Sequence, residues 1–266
     1  MRRRDFLEFL AISAAAAPFA ACAEERAPLK AGPRDAGLRL RAGAERGARN
    51  LGWLEARYSF SFAGYRDPEY TQFRALRVLN EDRIRPGGGF PIHPHRDMEI
   101  VTYLLEGQLA HQDTQGHGGI IRRGEVQRMS AGSGIRHSEF NRGESLAHLL
   151  QIWILPDRVG DEPSYEQKRL PRLEGGALSL LASPRGGGGA VEIGADARIY
   201  AAELAGGQSA SFEVAPSRGA WVQLARGTVQ ANGVLLEAGD AVHTLSTGTL
   251  EIIAAERAEL LLFDLA

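Results

Sequence analysis

Two pairs of residues in this chain have types and spacing suited to holding a transition metal. His93 and His95 stand one residue apart in GGGFPIHPHRDMEIVTYLLEG (87–107), and His137 and Glu139 stand one residue apart in GIRHSEFN (134–141). On a β-strand, residues i and i+2 project from the same face, so each pair can converge on one point. Neutral imidazoles suit Fe, Mn, Co, Ni, Cu or Zn, and a carboxylate adds an oxygen donor. A lone H-x-H near a turn is more often a pair of surface residues. The second pair, about 40 residues downstream, reverses that weighing, because two such pairs compose a three-histidine, one-carboxylate site. The other histidines, His111, His117, His148 and His243, read as surface or satisfied core residues. The Met and Trp residues read as core.

The elements that must position these residues are strands. Alternation marks Ala56–Phe62, and Phe73–Leu79 follows, closed by Asn80-Glu81-Asp82. Arg85-Pro86-Gly87-Gly88-Gly89 is a turn that opens onto the histidine pair, and Ile100–Leu105 is the strand beyond it. Gln108–Asp113, the turn Gln115–Gly119, a turn and strand within Ile120–Met129, and Ile135–Glu139 come next. His148–Leu155 reads as a buried strand ended by Pro156, and the polar Asp157–Arg172 reads as a connector. Short strands at regular spacing with glycine turns predict an all-β chain, an antiparallel barrel or sandwich. Trp221–Gln230 with Leu236–Ala241 repeats the plan of Tyr103–Leu109 with Arg123–Val126, so the second half is expected to be a second barrel. It holds His243 as its one histidine and is expected to be metal-free, with a packing role.

Composition narrows the function classes. The chain has 266 residues, a formal net charge of -2 and no Lys/Arg-rich block in its body, which gives nucleic acid nothing to bind. No internal apolar run approaches the roughly 20 residues that a membrane span needs. Residues 1–23, MRRRDFLEFLAISAAAAPFAACA, have the basic start, uncharged Ala-rich stretch and small-residue end of an export signal. Arg3-Arg4-Asp5-Phe6-Leu7 resembles the twin-arginine motif, which implies export in the folded state to the periplasm with metal already loaded. The sole cysteine, Cys22, excludes an internal disulfide. Its setting resembles a lipobox, with Phe19 where Leu is usual; the alternatives are a lipid anchor at Cys22 and a soluble, cleaved protein. Residues 24–50 read as a linker, 51–165 as the metal-binding domain and 166–266 as the second domain. The expected state is a monomer.

These motifs resemble a known family. Gly87-x5-His93-x-His95-x3-Glu99, with Gly107 beyond, resembles the first cupin motif, and Gly124-x5-Ser130-x-Gly132 followed by His137-x3-Asn141 resembles the second at altered spacing. HPHRDMEIVTYLLEG, GEVQRMSAGSGIRHSEFN and LLQIWILPDRVGDEPSYEQK look like the pirin family in its bacterial branch, strongly over Gly52–Lys168. The resemblance implies two cupin barrels (a bicupin) with one metal, usually iron as Fe(II), held by His93, His95, His137 and Glu139. Cupins in general use the motif-one glutamate, here Glu99, as a ligand, whereas in pirin-like proteins Glu139 takes that place. Glu99 counts to the same strand parity as the two histidines, which would let it point inward beside them. Pirin-like proteins are associated with quercetin 2,3-dioxygenase activity, so the implied partners are a flavonol-like aromatic and O2, with Glu139 as the base. The alternatives are metal-dependent oxidation of another small aromatic and a non-catalytic metal- or redox-sensing role.

Overall fold

A computed structural model describes residues 37–266 apart from Arg172 and Glu174. The expected export signal, 1–23, and Cys22 lie outside the described residues. Among the described residues no helix is long and apolar enough to cross a membrane. The first half carries β1 (Arg39–Arg41), β2 (Gly47–Asn50), β3 (Leu54–Tyr58), β4 (Leu76–Ile84), β5 (Gly89–His95) and β6 (Glu99–Glu106). It continues with β7 (Gln108–Asp113), β8 (Gly118–Arg122), β9 (Glu125–Ser130), β10 (Ile135–Phe140), β11 (Ala147–Ile154) and β12 (Ser164–Arg169). The second half carries β13 (Ser179–Ser183), β14 (Val191–Glu192), β15 (Ala197–Leu204), β16 (Ser209–Val214) and β17 (Gly219–Arg226). It ends with β18 (Thr228–Ala231), β19 (Val234–Glu237), β20 (Ala241–Thr244), β21 (Gly248–Ala254) and β22 (Ala258–Leu265).

Each half is a barrel of two sheets. The first joins a sheet in the order β12-β9-β6-β11-β4-β3-β2 to one in the order β5-β10-β7-β8. The second joins β1-β20-β17-β22-β15-β13-β14 to β16-β21-β18-β19. The expected repeat is present: β6, β7 and β8 have β17, β18 and β19 as counterparts in the same sheet positions. Even the turns agree. Gly107 after β6 and Gly227 after β17 have φ of 73° and 81°. A Cβ at either would strike a carbonyl oxygen, of Leu146 or Arg257, so both positions need glycine.

Strand parity divides the apolar residues between two cores. On β6, Val101, Tyr103 and Leu105 join Leu150 and Ile152 of β11 and meet Ile199, Trp221, Leu261 and Phe263 of the second barrel. Leu104 on the opposite face packs inside the first barrel with Leu54, Tyr58, Ile84, Leu109, Ile121 and Leu149. Ile100, also inside, packs at the other end with Met129, Ala131 and Ile135.

Three expectations are corrected. Residues 39–50 are not linker: β1 pairs with β20 of the second barrel, and β2 pairs with β3. Arg41 and Arg46 there are buried, Arg41 against the Asp67 carboxylate (3.0 Å) and Arg46 against the Glu81 carboxylate (3.0 Å) and the Gly239 carbonyl (2.9 Å), so both charges are answered. Asn80-Glu81-Asp82 does not close a strand but lies buried within β4. Glu81 is paired with Arg46 and with His148 (2.9 Å), the contacts that make an acid tolerable there. Within Asp157–Arg172, Ser164–Arg169 forms β12, the edge strand beside β9, so residue 165 falls inside a strand of the first barrel.

Candidate metal centre

The two sequence pairs meet because β5 and β10 are antiparallel neighbours. His137 stands directly opposite His93, and Ile135 opposite His95. The ring centroids are 4.4 Å apart for His93–His137, 4.8 Å for His93–His95 and 4.9 Å for His95–His137. Ligating atoms of these three residues lie within 4.8 Å of one another. A bulge shifts the register so that Glu139 faces Phe90 while His137 faces His93. The extra residue on β5 lets Phe90 pack among the interior residues without turning His93 outward. On the other flank, β7 sets His111 opposite Glu139, and a second set, His111, His137 and Glu139, also lies within 4.8 Å.

His93 and His95 are half-buried, whereas His137 and Glu139 are 1% and 2% exposed. Burial pushes the His95 and His137 imidazoles down to about 3, with His93 adding to both, His137 to the first and His111 to the second. Both are therefore neutral and carry a free lone pair at ordinary pH. Burial raises the Glu139 carboxyl above the usual carboxylate range. Gln151 on β11 answers it from across the barrel, its Nε2 donating to Oε1 (3.2 Å) and Oε2 (3.0 Å). The Gln151 Oε1 in turn accepts from Thr102 Oγ1 (2.7 Å), which fixes the amide's orientation. A second buried acid, Asp82, is pushed up to about 7 by burial first and then by the Glu139 and Glu81 charges.

The donors fit a divalent transition metal. His137 Nε2 is buried and has no hydrogen-bond partner among the described residues. His93 Nδ1 lies 2.8 Å from the Pro91 carbonyl, an acceptor, so the proton sits on Nδ1 and Nε2 is left bare. The buried Glu139 carboxylate has no ion-pair partner among the described residues, and a cation held by this cluster would relieve it.

Glu99 is not part of this cage. Parity counted through from His95 fails because Asp97, with φ of 49°, turns the chain between β5 and β6. On β6 Glu99 alternates with Ile100 and shares the face of Val101 and Tyr103, away from the barrel interior. It is buried there, accepting from Ser130 Oγ (2.6 Å) beside Gly194 of the second half. Reading by sequence also missed Gln151, Thr102, Asp82 and His111. Only His111 carried a signal, since His111-x-Asp113 has the same i, i+2 spacing as the ligand pairs. His148 is a satisfied core residue bound to Glu81, and His243, half-buried, stacks on Trp221 (5.1 Å).

An all-β chain of two fused barrels, with one histidine and carboxylate cage inside the first, defines a bicupin with a metal-binding N-terminal barrel. The chain belongs to the pirin family. Residues 40–154 match the family described as Pirin, and residues 180–265 match the quercetinase C-terminal cupin domain. A relative named quercetin 2,3-dioxygenase from Escherichia coli K12 is 43% identical over 227 residues, 85% of this chain and 97% of the relative. A pirin-like protein of Caulobacter vibrioides is 41% identical over 83% of this chain and 96% of its own. The crystal structure of YhhW from Escherichia coli superposes with a TM-score of 0.83 at 42% identity, covering 86% of this chain and 97% of that one. A structure of bacterial pirin YhhW in complex with nickel(II) gives 0.81 at 41% identity, covering 86% and 98%.

Proposed function

We propose that this protein is a metal-dependent dioxygenase that opens the ring of a flavonol such as quercetin with O2. One observation carries the reading: three imidazoles converge beside a buried carboxylate at the half-exposed edge of an apolar barrel. The names of its relatives supply the substrate class. A divalent metal, Fe(II) by preference, held by His93, His95, His137 and Glu139 would supply Lewis acidity and a meeting point for substrate and O2.

The chain's own residues do the rest. Glu139 takes the proton of the flavonol hydroxyl: the O–H bond breaks, its electron pair stays on the substrate oxygen, and the proton rests on the carboxylate. Gln151 keeps the carboxylate aimed while it is charged. Met98, Ile100, Met129 and Trp153 form an apolar cluster at this end of the barrel, and the Trp153 ring stands 4.8 Å from His95. Such a wall favours a flat aromatic over water. The test is metal-loaded protein with quercetin, following O2 uptake and CO release. Turnover with release of CO is expected, and absence of turnover with every first-row divalent metal would overturn the proposal.

We propose export on separate grounds, from the basic and Ala-rich stretch of residues 1–23. Cys22→Ser should move a lipidated protein from membranes to the soluble periplasmic fraction; unchanged fractionation sinks the lipid anchor.

A further inference from the structure

Behind the cage lies a column of polar side chains that none of the four ligands includes. His111 Nδ1 is 3.4 Å from His137 Nδ1 and 3.4 Å from Gln127 Nε2. On its far side, His111 Nε2 is 3.4 Å from Asp113 Oδ2. That same Oδ2 lies 3.1 Å from His117 Nδ1, at a side chain 42% exposed to solvent. The other Asp113 oxygen, Oδ1, accepts the backbone N–H of Gln115 (2.9 Å) and of His117 (3.0 Å), which ties the carboxylate to the β7–β8 turn. Tyr165 of β12 stacks on both imidazoles, at 4.9 Å from His111 and 5.6 Å from His117.

The partners dictate where each proton sits. An ionised carboxylate only accepts, so the proton on His111 must be at Nε2, facing Asp113. The Gln127 amide nitrogen can only donate, so His111 Nδ1, which faces it, is a bare acceptor. The Gln127 amide donates to that acceptor, and so must His137 Nδ1. With its proton at Nδ1, His137 as a ligand presents its lone pair at Nε2, the buried atom that has no partner among the described residues. One chain of three groups therefore selects the imidazole tautomer in which Nε2 is free.

We infer that the His111–Asp113 pair is a positioning device that locks His137 in its metal-binding tautomer, with His111 and Asp113 themselves outside the ligand set. The inference rests on the reading of His137 as a metal ligand. It makes an unusual demand on Asp113→Asn. The new amide keeps Oδ1 on the two turn N–H groups, because flipping it would break both bonds, and places an NH2 where Oδ2 stood. That NH2 must be accepted by His111 Nε2, so the His111 proton moves to Nδ1. His137 then must accept at Nδ1 and carry its proton on Nε2, where the metal belongs. The tautomer is wrong although the shape is unchanged, the effect known for the same substitution beside the histidine of a serine-protease triad.

The test uses metal-free full chain with 15N-labelled histidine, reading imidazole nitrogen shifts, followed by nickel(II) titration. The wild type should show His137 protonated at Nδ1 and His111 at Nε2. Asp113→Asn should exchange both assignments and weaken nickel binding ten- to a hundredfold, the range usual for such outer contacts. His111→Asn, whose amide oxygen can replace Nδ1 as acceptor, should retain more affinity than His111→Leu. His117→Ala, which leaves the His111–Asp113 contact in place, should change neither readout. A wild-type His137 protonated at Nε2, or an Asp113→Asn variant with unaltered shifts or unaltered affinity, would overturn the inference. So would an equal loss in His117→Ala, which would trace the effect to the turn. A wild type that takes up no nickel defeats the metal-site reading instead, and the nitrogen shifts tell the two failures apart.

Discussion

Gln151 Nε2 reaches both oxygens of Glu139, at 3.2 and 3.0 Å, from the strand on the far side of the barrel. The contact joins the two sheets at the level of the cage and supplies the carboxylate with its donors. Gln151→Met keeps the volume and removes those donors. The metal-free protein should lose about 1–3 kcal/mol, the usual cost of a buried acceptor left bare. Nickel-loaded protein should lose less, since the cation answers the same charge. Thermal unfolding with and without nickel checks the difference, and an equal loss in both states would contradict the role given to Gln151.

Asp82 supplies a pH test whose sign is fixed. Its carboxyl is pushed up from 3.8 to about 7 in the folded state, so between those values the folded chain binds the proton more tightly than the unfolded one. Stability of the metal-free protein from this group therefore falls as pH rises through that window. Asp82→Asn should raise the Tm most at pH 7 and above, with the gain fading toward pH 4. The same variant should bind nickel more weakly, because one of two compensating charges is gone. A Tm gain that grows on acidification would contradict this.

His95 and His137 act in the opposite sense. His95 and His137 sit at about 3 when folded and near the ordinary 6.5 when unfolded. Between those values the unfolded chain binds more protons, so these two groups make stability rise with pH. In the Asp82→Asn background, where one opposing group is removed, the metal-free Tm should fall more steeply on acidification below pH 6.5 than in the wild type. Replacing His95 with Phe should flatten that slope, as a pH series of thermal scans would show.

Glu99 separates this chain's cage from the general cupin pattern. Its carboxylate is on the outward face of β6, bonded to Ser130. Glu99→Gln should leave nickel affinity within about twofold of wild type, while Glu139→Gln should weaken it ten- to a hundredfold or more. Loss of metal on changing Glu99 would overturn the assignment of the two glutamates.

What could be read in the sequence was what a single strand encodes. His93-x-His95 and His137-x-Glu139 each declare a shared face by spacing alone, and the repeat of β6–β7 in β17–β18 is visible in apolar runs ended by glycine. Contacts made between strands left no such mark. Gln151 meets Thr102 and Glu139 only through strand order, and Asp82 looked like part of a turn because three polar residues in a row usually are. Its neighbour Glu81 is tolerated inside β4 by Arg46, which arrives from a stretch that composition alone describes as linker. Glu99 was misread for a local reason: parity cannot be counted across Asp97, where the backbone turns left-handed.

The most direct measurement combines metal content with flavonol turnover on one preparation of the full chain. A single metal per chain and CO released in step with quercetin consumed are expected, with both lost in His93→Ala and His137→Ala while the fold persists. Full metal occupancy in either variant, or quercetin left intact by fully loaded wild-type protein, would contradict the account.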